Sequence, residues 1–279
     1  PEYAGFSCLQ VAMSQVSSGY YHSCGVGIDG SAHCWGANNH GQSAPPEWIL
    51  VTHLSTGQDH SCGIRKSGGV LCWGNNQYNK DSPPTDLFSD LSVGALHACG
   101  VTSTPKKEGN VKCWGYNGNN QTTAPQSNAF SMVSVGFTFS CGLKLDSTIT
   151  CWGDLESPSI AQDGVVDFTQ ISAGHSHVCA LRDDGGILCW GDSAYSKTNA
   201  PTGAFIQVSA GHSHSCGLRT TGKVYCWGRN SEGQCNSPTS NFIQISAGWR
   251  HTCGVREDNS VVCWGNNGDG QSVGPVPTP

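Results

Sequence analysis

The stretch Ile245-Ser-Ala-Gly-Trp-Arg-His-Thr-Cys253-Gly-Val-Arg-Glu-Asp-Asn-Ser-Val-Val-Cys263-Trp-Gly265 is written seven times in this chain of 279 residues. Each copy runs from a lead Gly, through two changing residues, to a first Cys, and ends on Cys-Trp-Gly. The cysteine pairs are Cys24 with Cys34, Cys62 with Cys72, Cys99 with Cys113, Cys141 with Cys151, Cys179 with Cys189, Cys216 with Cys226 and Cys253 with Cys263. The first cysteines recur at intervals of 38, 37, 42, 38, 37 and 37. A steady period near 37 is the mark of a solenoid or a propeller. Runs such as Phe242-Ile-Gln-Ile-Ser and Ser260-Val-Val-Cys-Trp lack the 3.6-residue spacing of a helix and read as short strands.

Counting inward from Cys216 and Cys226 sets 217 opposite 225, 218 opposite 224 and 219 opposite 223. Thr220-Thr221-Gly222 is left as a three-residue tip. Such a tip ends in a left-handed residue, usually Gly. Gly30, Gly68, Gly185 and Gly222 fill that place, Asn259 tolerates it, and Ser147 is the exception. This register makes the two cysteines of each copy direct cross-strand neighbours, at a separation that suits a disulfide. In the third copy a longer tip, Ser103 to Gly109, is accommodated where a sheet tolerates an insertion. Seven units, each a small antiparallel sheet, fit an all-β, seven-bladed β-propeller spanning residues 1–279 as one domain. By phase, residues 1–19 are expected to complete the last blade and close the ring.

After Cys-Trp-Gly, copies one, six and seven continue Trp-Gly-x-Asn-x-x-Gly-Gln, at Trp35–Gln42, Trp227–Gln234 and Trp264–Gln271. Copy three keeps Asn117 with its Gln out of phase, and copies two, four and five lose the pattern. Cys8 and Cys235 stand outside the seven pairs, at nearly the same phase of neighbouring units. A Cys8–Cys235 bridge across the closure is the expectation, with intermolecular bonding as the alternative.

Sixteen cysteines without a Cys-x-x-Cys point to disulfides in an oxidising compartment rather than zinc. A net charge of −6 with scattered Lys and Arg gives no general attraction to nucleic acid. No run of 18 apolar residues is present, so no membrane-inserted helix is expected. The N-terminus has neither a basic nor an apolar leader region and reads as a mature or trimmed end.

The repeat Gly-x-x-His-x-Cys…Cys-Trp-Gly-x-Asn-x-x-Gly-Gln resembles the repeats of the RCC1-like superfamily over nearly the whole chain. That superfamily includes the chromosome-condensation regulator, a secreted bacterial β-lactamase-inhibitor protein and the extracellular repeats of Crinkly4-type plant receptor kinases. The Cys-Trp-Gly variety looks most like the secreted and cell-surface branch. The resemblance implies a seven-bladed propeller, and a partner bound through one face.

Histidines recur two residues before the first Cys, at His22, His60, His97, His177, His214 and His251, with Phe139 in copy four. Repetition around a ring reads as scaffold bonding to neighbouring backbone. His175-x-His177 and His212-x-His214 lack an acidic or third ligand, so no metal or cofactor is expected. The tryptophans of Cys-Trp-Gly read as packing between blades. The positions that change while the frame stays fixed are the two after the lead Gly. They place Tyr20, Tyr21, Asp59, Phe137, His175, His212, Trp249 and Arg250 on one face as candidate ligand contacts. Asn120-Gln-Thr122 is the only glycosylation sequon. No nucleophile–base–acid set, metalloprotease motif or phosphate loop emerges, so an enzyme is not expected. The reading is a secreted or surface-displayed module that binds a protein partner. A lectin with sites repeated between blades is the alternative, and a structural component of an extracellular assembly is a third reading. The nuclear exchange-factor role of the family's founder conflicts with the cysteines and the charge.

Overall fold

Each copy of the repeat folds into one three-stranded antiparallel sheet in the computed structural model, which describes residues 11–103, 109–126, 130–155 and 167–275. The seven sheets are the blades of an all-β propeller. The inner strands are Met13–Ser18, Val51–Thr56, Phe88–Val93, Phe130–Val135, Phe168–Ala173, Phe205–Ala210 and Phe242–Ala247. The middle strands are His22–Gly27, His60–Arg65, His97–Thr102, Phe139–Lys144, His177–Arg182, His214–Arg219 and His251–Arg256. The outer strands are Ala32–Gly36, Val70–Gly74, Val111–Gly115, Ile149–Gly153, Ile187–Gly191, Val224–Gly228 and Val261–Gly265.

The hairpin register is the one obtained by counting. Cys216 faces Cys226, Gly217 faces Tyr225 and Leu218 faces Val224. All seven in-repeat disulfides are present. Cys24 is bonded to Cys34, Cys62 to Cys72, Cys99 to Cys113 and Cys141 to Cys151. Cys179 is bonded to Cys189, Cys216 to Cys226 and Cys253 to Cys263. Their Cα atoms lie 4.0–4.1 Å apart. Closing so short a loop stabilises each blade by about 2–3 kcal/mol. The tip residue is left-handed throughout the six short tips. Ser147 adopts φ +62° beside Gly222 at +76° and Asn259 at +63°, so the sequence exception is not a structural one.

The core lies between blades. The two cysteines of a pair are not equivalent in it. The first, on the middle strand, is fully buried in every blade. The second, on the outer strand, is half-buried at Cys34, Cys113, Cys151, Cys189, Cys226 and Cys263, and buried at Cys72. Each pair packs on the next blade's inner strand and tryptophan. Cys24, Val26, Val51, Leu54 and Trp73 form one such cluster, with Cys34 at its edge. Six tryptophans also donate their indole N–H to a carbonyl in the loop of the preceding blade, as Trp73 does to Gln42 at 3.0 Å. An inner strand leaves an unpaired edge toward the axis, which needs covering. Seven serines supply part of the cover. Ser17, Ser55, Ser92, Ser134, Ser172, Ser209 and Ser246 each accept the last inner-strand N–H of the following blade, at 2.8–3.0 Å.

One expectation needs correction, and the Cys8–Cys235 bridge falls partly outside the described residues. Residues 13–18 pair with 22–27, so they open the first blade instead of completing the last. The strand joins its own sequence neighbour because a short turn, Gly19-Tyr20-Tyr21, connects the two. The ring closes through contacts between blades seven and one, among them Ser246 to Ser18 and Gln244 to Val16. In addition, Cys235 is a free thiol, half-buried and aimed at the Arg229 carbonyl 3.3 Å away, and burial pushes it up to about 11. Cys8 lies outside the described residues.

Candidate functional site

The seven lead glycines form a ring around the axis. A Cβ on any of them would lie 2.0–2.9 Å from the carbonyl oxygen of the lead Gly in the next blade, from Gly19 against Gly57 round to Gly248 against Gly19. No side chain fits there, which is why this position does not vary within the chain. The two residues that follow each Gly make the turn from inner to middle strand. The carbonyl of the second one accepts the amide of the residue after Trp-Gly in all seven blades, as Arg250 does from Asn266. This bond brings the Trp-Gly loops to the same side as the variable turns. We call this side the cap face; the hairpin tips lie on the other.

The histidines before the cysteines are scaffold, though not by bonding backbone. His22, His97, His177, His214 and His251 are fully buried, and each places Nε2 2.8–2.9 Å from a hydroxyl of the next blade: Ser61, Ser140, Ser215, Thr252 and Ser23. Each hydroxyl donates its one proton to a loop carbonyl, as Ser61 does to Gln42 at 3.0 Å. It must therefore accept from Nε2–H, which fixes a neutral tautomer. Burial holds all five imidazoles down at about 3. Phe139 replaces the histidine in the one blade whose successor carries Val178 in place of the hydroxyl. His60 is the odd member. It faces a blade with Ala98 at that position, and neither ring nitrogen has a hydrogen-bond partner among the described residues.

On the cap face the structure gathers seven of the eight candidate residues. Phe137 stacks on His175 at 4.4 Å between centroids, and His175 packs on His212 at 4.2 Å. His212 meets Trp249 at 5.7 Å, and Trp249 stacks on Tyr20 at 5.9 Å, 17° from parallel. Tyr20 leans over the axis to within 6.5 Å of His175, and Tyr21 meets the edge of Trp249 at 4.9 Å. The Arg250 guanidinium lies 4.3 Å from the Trp249 ring and 3.7 Å from Glu232. Together these groups lid the central channel, a cavity of about 80 Å³ lined by Tyr20, His175, His212 and the lead glycines. That volume holds a few waters and falls short of the several hundred Å³ of a small-molecule pocket. Anything larger than a few waters would meet the outer surface of the lid and not the channel. Burial, with His175, Arg250 and Arg229 nearby, lowers His212 to about 3, so the lid carries a neutral imidazole there at pH 7.

Asp59 stands apart from the cluster. Its carboxylate is held by Lys80 Nζ at 2.6 Å and by Asn75 at 2.8 Å. Burial alone would raise it, but His60 and Lys80 bring it down to about 2. Lys80 is 1% exposed and sits where other loops have Gln. Lys197 does the same in blade five, with Asp192 at 2.7 Å and Ser176 at 3.0 Å. Sequence reading missed this second loop type. Its signal was available as Cys-Trp-Gly-x-x-x-Tyr-Asn-Lys80 and Cys-Trp-Gly-x-x-x-Tyr-Ser-Lys197, each with an Asp whose position differs. The loops project Tyr78 and Tyr195 outward at φ +68° and +61°. Tyr78 packs on Tyr116 at 4.9 Å and Tyr195 meets Arg229 at 5.5 Å. Copy three, in turn, belongs to the Gln loops: Gln121 is in phase and buried, and Asn120 takes the Gly place at φ +59°. Asn120 is exposed.

This architecture defines a disulfide-stapled propeller with one aromatic face. The repeat family described as regulator of chromosome condensation (RCC1) repeat matches residues 13–42, 51–80, 168–196, 205–234 and 242–271, more than half of the chain. The protein belongs to the RCC1 repeat family. Among solved structures, it is similar to the entire ectodomain of the Physcomitrella patens receptor kinase CR4, at 28% identity and a TM-score of 0.78, covering 91% of this chain and 74% of that one. The CRINKLY ectodomain of the Arabidopsis thaliana receptor kinase ACR4 is similar at 27% identity and 0.78, covering 96% and 100%. Prp20p of Saccharomyces cerevisiae, whose binding to Gsp1p and histones is described, shares the fold at 17% identity and 0.72, covering 88% and 83%. Among curated proteins none matches significantly.

Proposed function

We propose that this protein is an extracellular, non-enzymatic recognition module that binds a protein partner through its cap face. The observation that carries the reading is the contiguous patch of Tyr20, Tyr21, Phe137, His175, His212, Trp249 and Arg250. Tyr, Trp and Arg dominate the energetics of protein interfaces, and here they are pre-packed on a rigid ring. Receptor ectodomains among the structural relatives and seven disulfides support the extracellular placement. A lectin with repeated sites would repeat its contact groups, whereas this face differs from blade to blade. The test is a binding screen of wild type and Arg250→Ala, with Trp249→Ala as a second variant, against arrayed extracellular protein domains and a glycan array. The expected result is a protein ligand whose affinity falls at least tenfold in both variants while thermal unfolding is unchanged for Arg250→Ala. Glycan binding without a protein ligand, or a protein ligand indifferent to both variants, overturns the reading.

A further inference from the structure

The cap face is not evenly charged. Among the described residues its cationic side chains are Lys80, Lys197, Arg229 and Arg250. The two lysines are buried and consumed by Asp59 and Asp192 at 2.6 and 2.7 Å. The two arginines are not consumed. Arg229 spends only Nε, on Ser231 Oγ at 2.8 Å, and that hydroxyl leads on to Glu232 at 3.4 Å. Among the described residues Arg250 makes no hydrogen bond through its guanidinium; Glu232 at 3.7 Å is its one ionic neighbour there, and its side chain is 34% exposed. One carboxylate thus stands against two guanidiniums, touching Arg250 directly and Arg229 only through Ser231, and their terminal nitrogens make no hydrogen bond among the described residues. Carboxylates dock on guanidinium forks in bidentate fashion. Apolar surface flanks them on both sides. Tyr195, 60% exposed, stands beside Arg229, and Trp249 lies under Arg250 with His212 and Tyr20 behind it.

We propose that the sector formed by blades five to seven of this face is the contact site for an acidic peptide segment of the protein partner, its carboxylate between Arg229 and Arg250 and an adjoining aromatic or aliphatic side chain on Tyr195 or Trp249. The proposal rests on the protein-recognition reading above and narrows it. Charge favours a carboxylate over a phosphorylated group: Glu232 leaves the pair of arginines with a surplus of one positive charge, which one carboxylate neutralises and a phosphate dianion over-fills. The chain carries a net charge of −6, so an acidic segment is repelled elsewhere and held only where the local sign reverses. Such a reversal gives orientation and selectivity.

The test pans a phage-displayed library of random 12-residue peptides on the full chain with its disulfides intact, and then measures enriched peptides as free synthetic ligands. Expected are sequences with Asp or Glu beside an aromatic or long aliphatic residue. Their affinity should fall at least tenfold in Arg229→Gln and in Arg250→Gln, weaken with salt, and stay the same in Tyr78→Ala on the opposite rim. Non-acidic peptides that survive both Gln variants but are lost in Trp249→Ala would overturn this proposal and leave protein recognition standing. Peptides indifferent to Trp249→Ala as well would overturn both. A library that yields no binder, or heparin oligosaccharides held through the same two arginines, also counts against it.

Discussion

Ala98→Ser should make the protein more stable. Five blade seams carry a buried imidazole bonded to a hydroxyl at 2.8–2.9 Å, and that hydroxyl bonds onward to a loop carbonyl at 3.0–3.3 Å. At the seam between blades two and three the imidazole of His60 is present and the hydroxyl is not. The receiving carbonyl is also in place, since Lys80 O already accepts the Trp114 indole at 3.0 Å. Ser adds one oxygen to the Cβ of Ala98, which is fully buried. Two new hydrogen bonds at about 0.5–1.5 kcal/mol each, less the desolvation of the hydroxyl, give a gain of about 1–2 kcal/mol. For a chain of this size that is a rise in Tm of about 2–5 °C. Non-reducing thermal and urea unfolding would measure it. The control is the same substitution beside His60→Phe, where the new hydroxyl keeps the Lys80 carbonyl but has no imidazole N–H to accept from, so the gain should vanish. If Ala98→Ser is neutral or harmful in the wild-type background, or acts alike in both, then the imidazole–hydroxyl seam is not a stabilising device.

Asp59→Asn leaves the ammonium of Lys80 buried without a counter-charge and should destabilise by about 3–5 kcal/mol by urea unfolding. Adding Lys80→Gln, the residue of the other loops, should recover most of that loss. Acid should unfold the protein steeply. His22, His97, His177, His214 and His251 sit at about 3 when folded against an ordinary 6.5, so the unfolded chain binds the extra protons. Stability is full above pH 6.5 and falls with pH below it, by about 1.4 kcal/mol per unit for each residue. Circular dichroism should show cooperative loss within about two units below 6.5, and a shallower slope when His214→Phe and Thr252→Val copy the Phe139–Val178 seam. Gly211→Ala brings a Cβ to 2.4 Å from the Gly248 oxygen, backbone that cannot step aside. A fall in stability of at least about 2 kcal/mol is expected, and an unchanged Tm would show that the ring breathes.

The fold was legible because the frame residues obey local rules. Tip length, a left-handed last residue and Cys opposite Cys are set within ten residues, so counting reached the register. What counting could not reach depends on the neighbouring blade. The lead Gly reads as a turn residue in sequence, yet its reason is a carbonyl one blade away. His22 reads as a backbone-bonding histidine, yet its partner is Ser61, 39 positions later. Tyr20, His212 and Trp249 were visible as variable positions, and the structure made them one patch. Asp59 looked like their equal, but its charge belongs to Lys80. Arg229 and Glu232 escaped because they fill the free places of a regular turn, and Tyr195 because its loop had lost the pattern. The strand at 13–18 was assigned to the wrong blade because phase alone cannot tell which end of a repeat is the inner strand.

The placement of that strand has a wider consequence. Among the described residues every blade is one uninterrupted stretch of chain, and none borrows a strand across the junction of blades seven and one. The junction carries the Gly and Ser contacts found at every seam, Gly248 against Gly19 and Ser246 to Ser18, and also the His251 to Ser23 and Trp35 to Gln271 bonds found at most of them. This propeller is therefore a necklace without a clasp. Cutting the chain at any connector and tying residue 275 back toward residue 11 would break no sheet, and a blade could be lifted out or duplicated as a whole bead. Resistance to opening is spread around the circle, and the junction of blades seven and one holds as many of these bonds as any other seam.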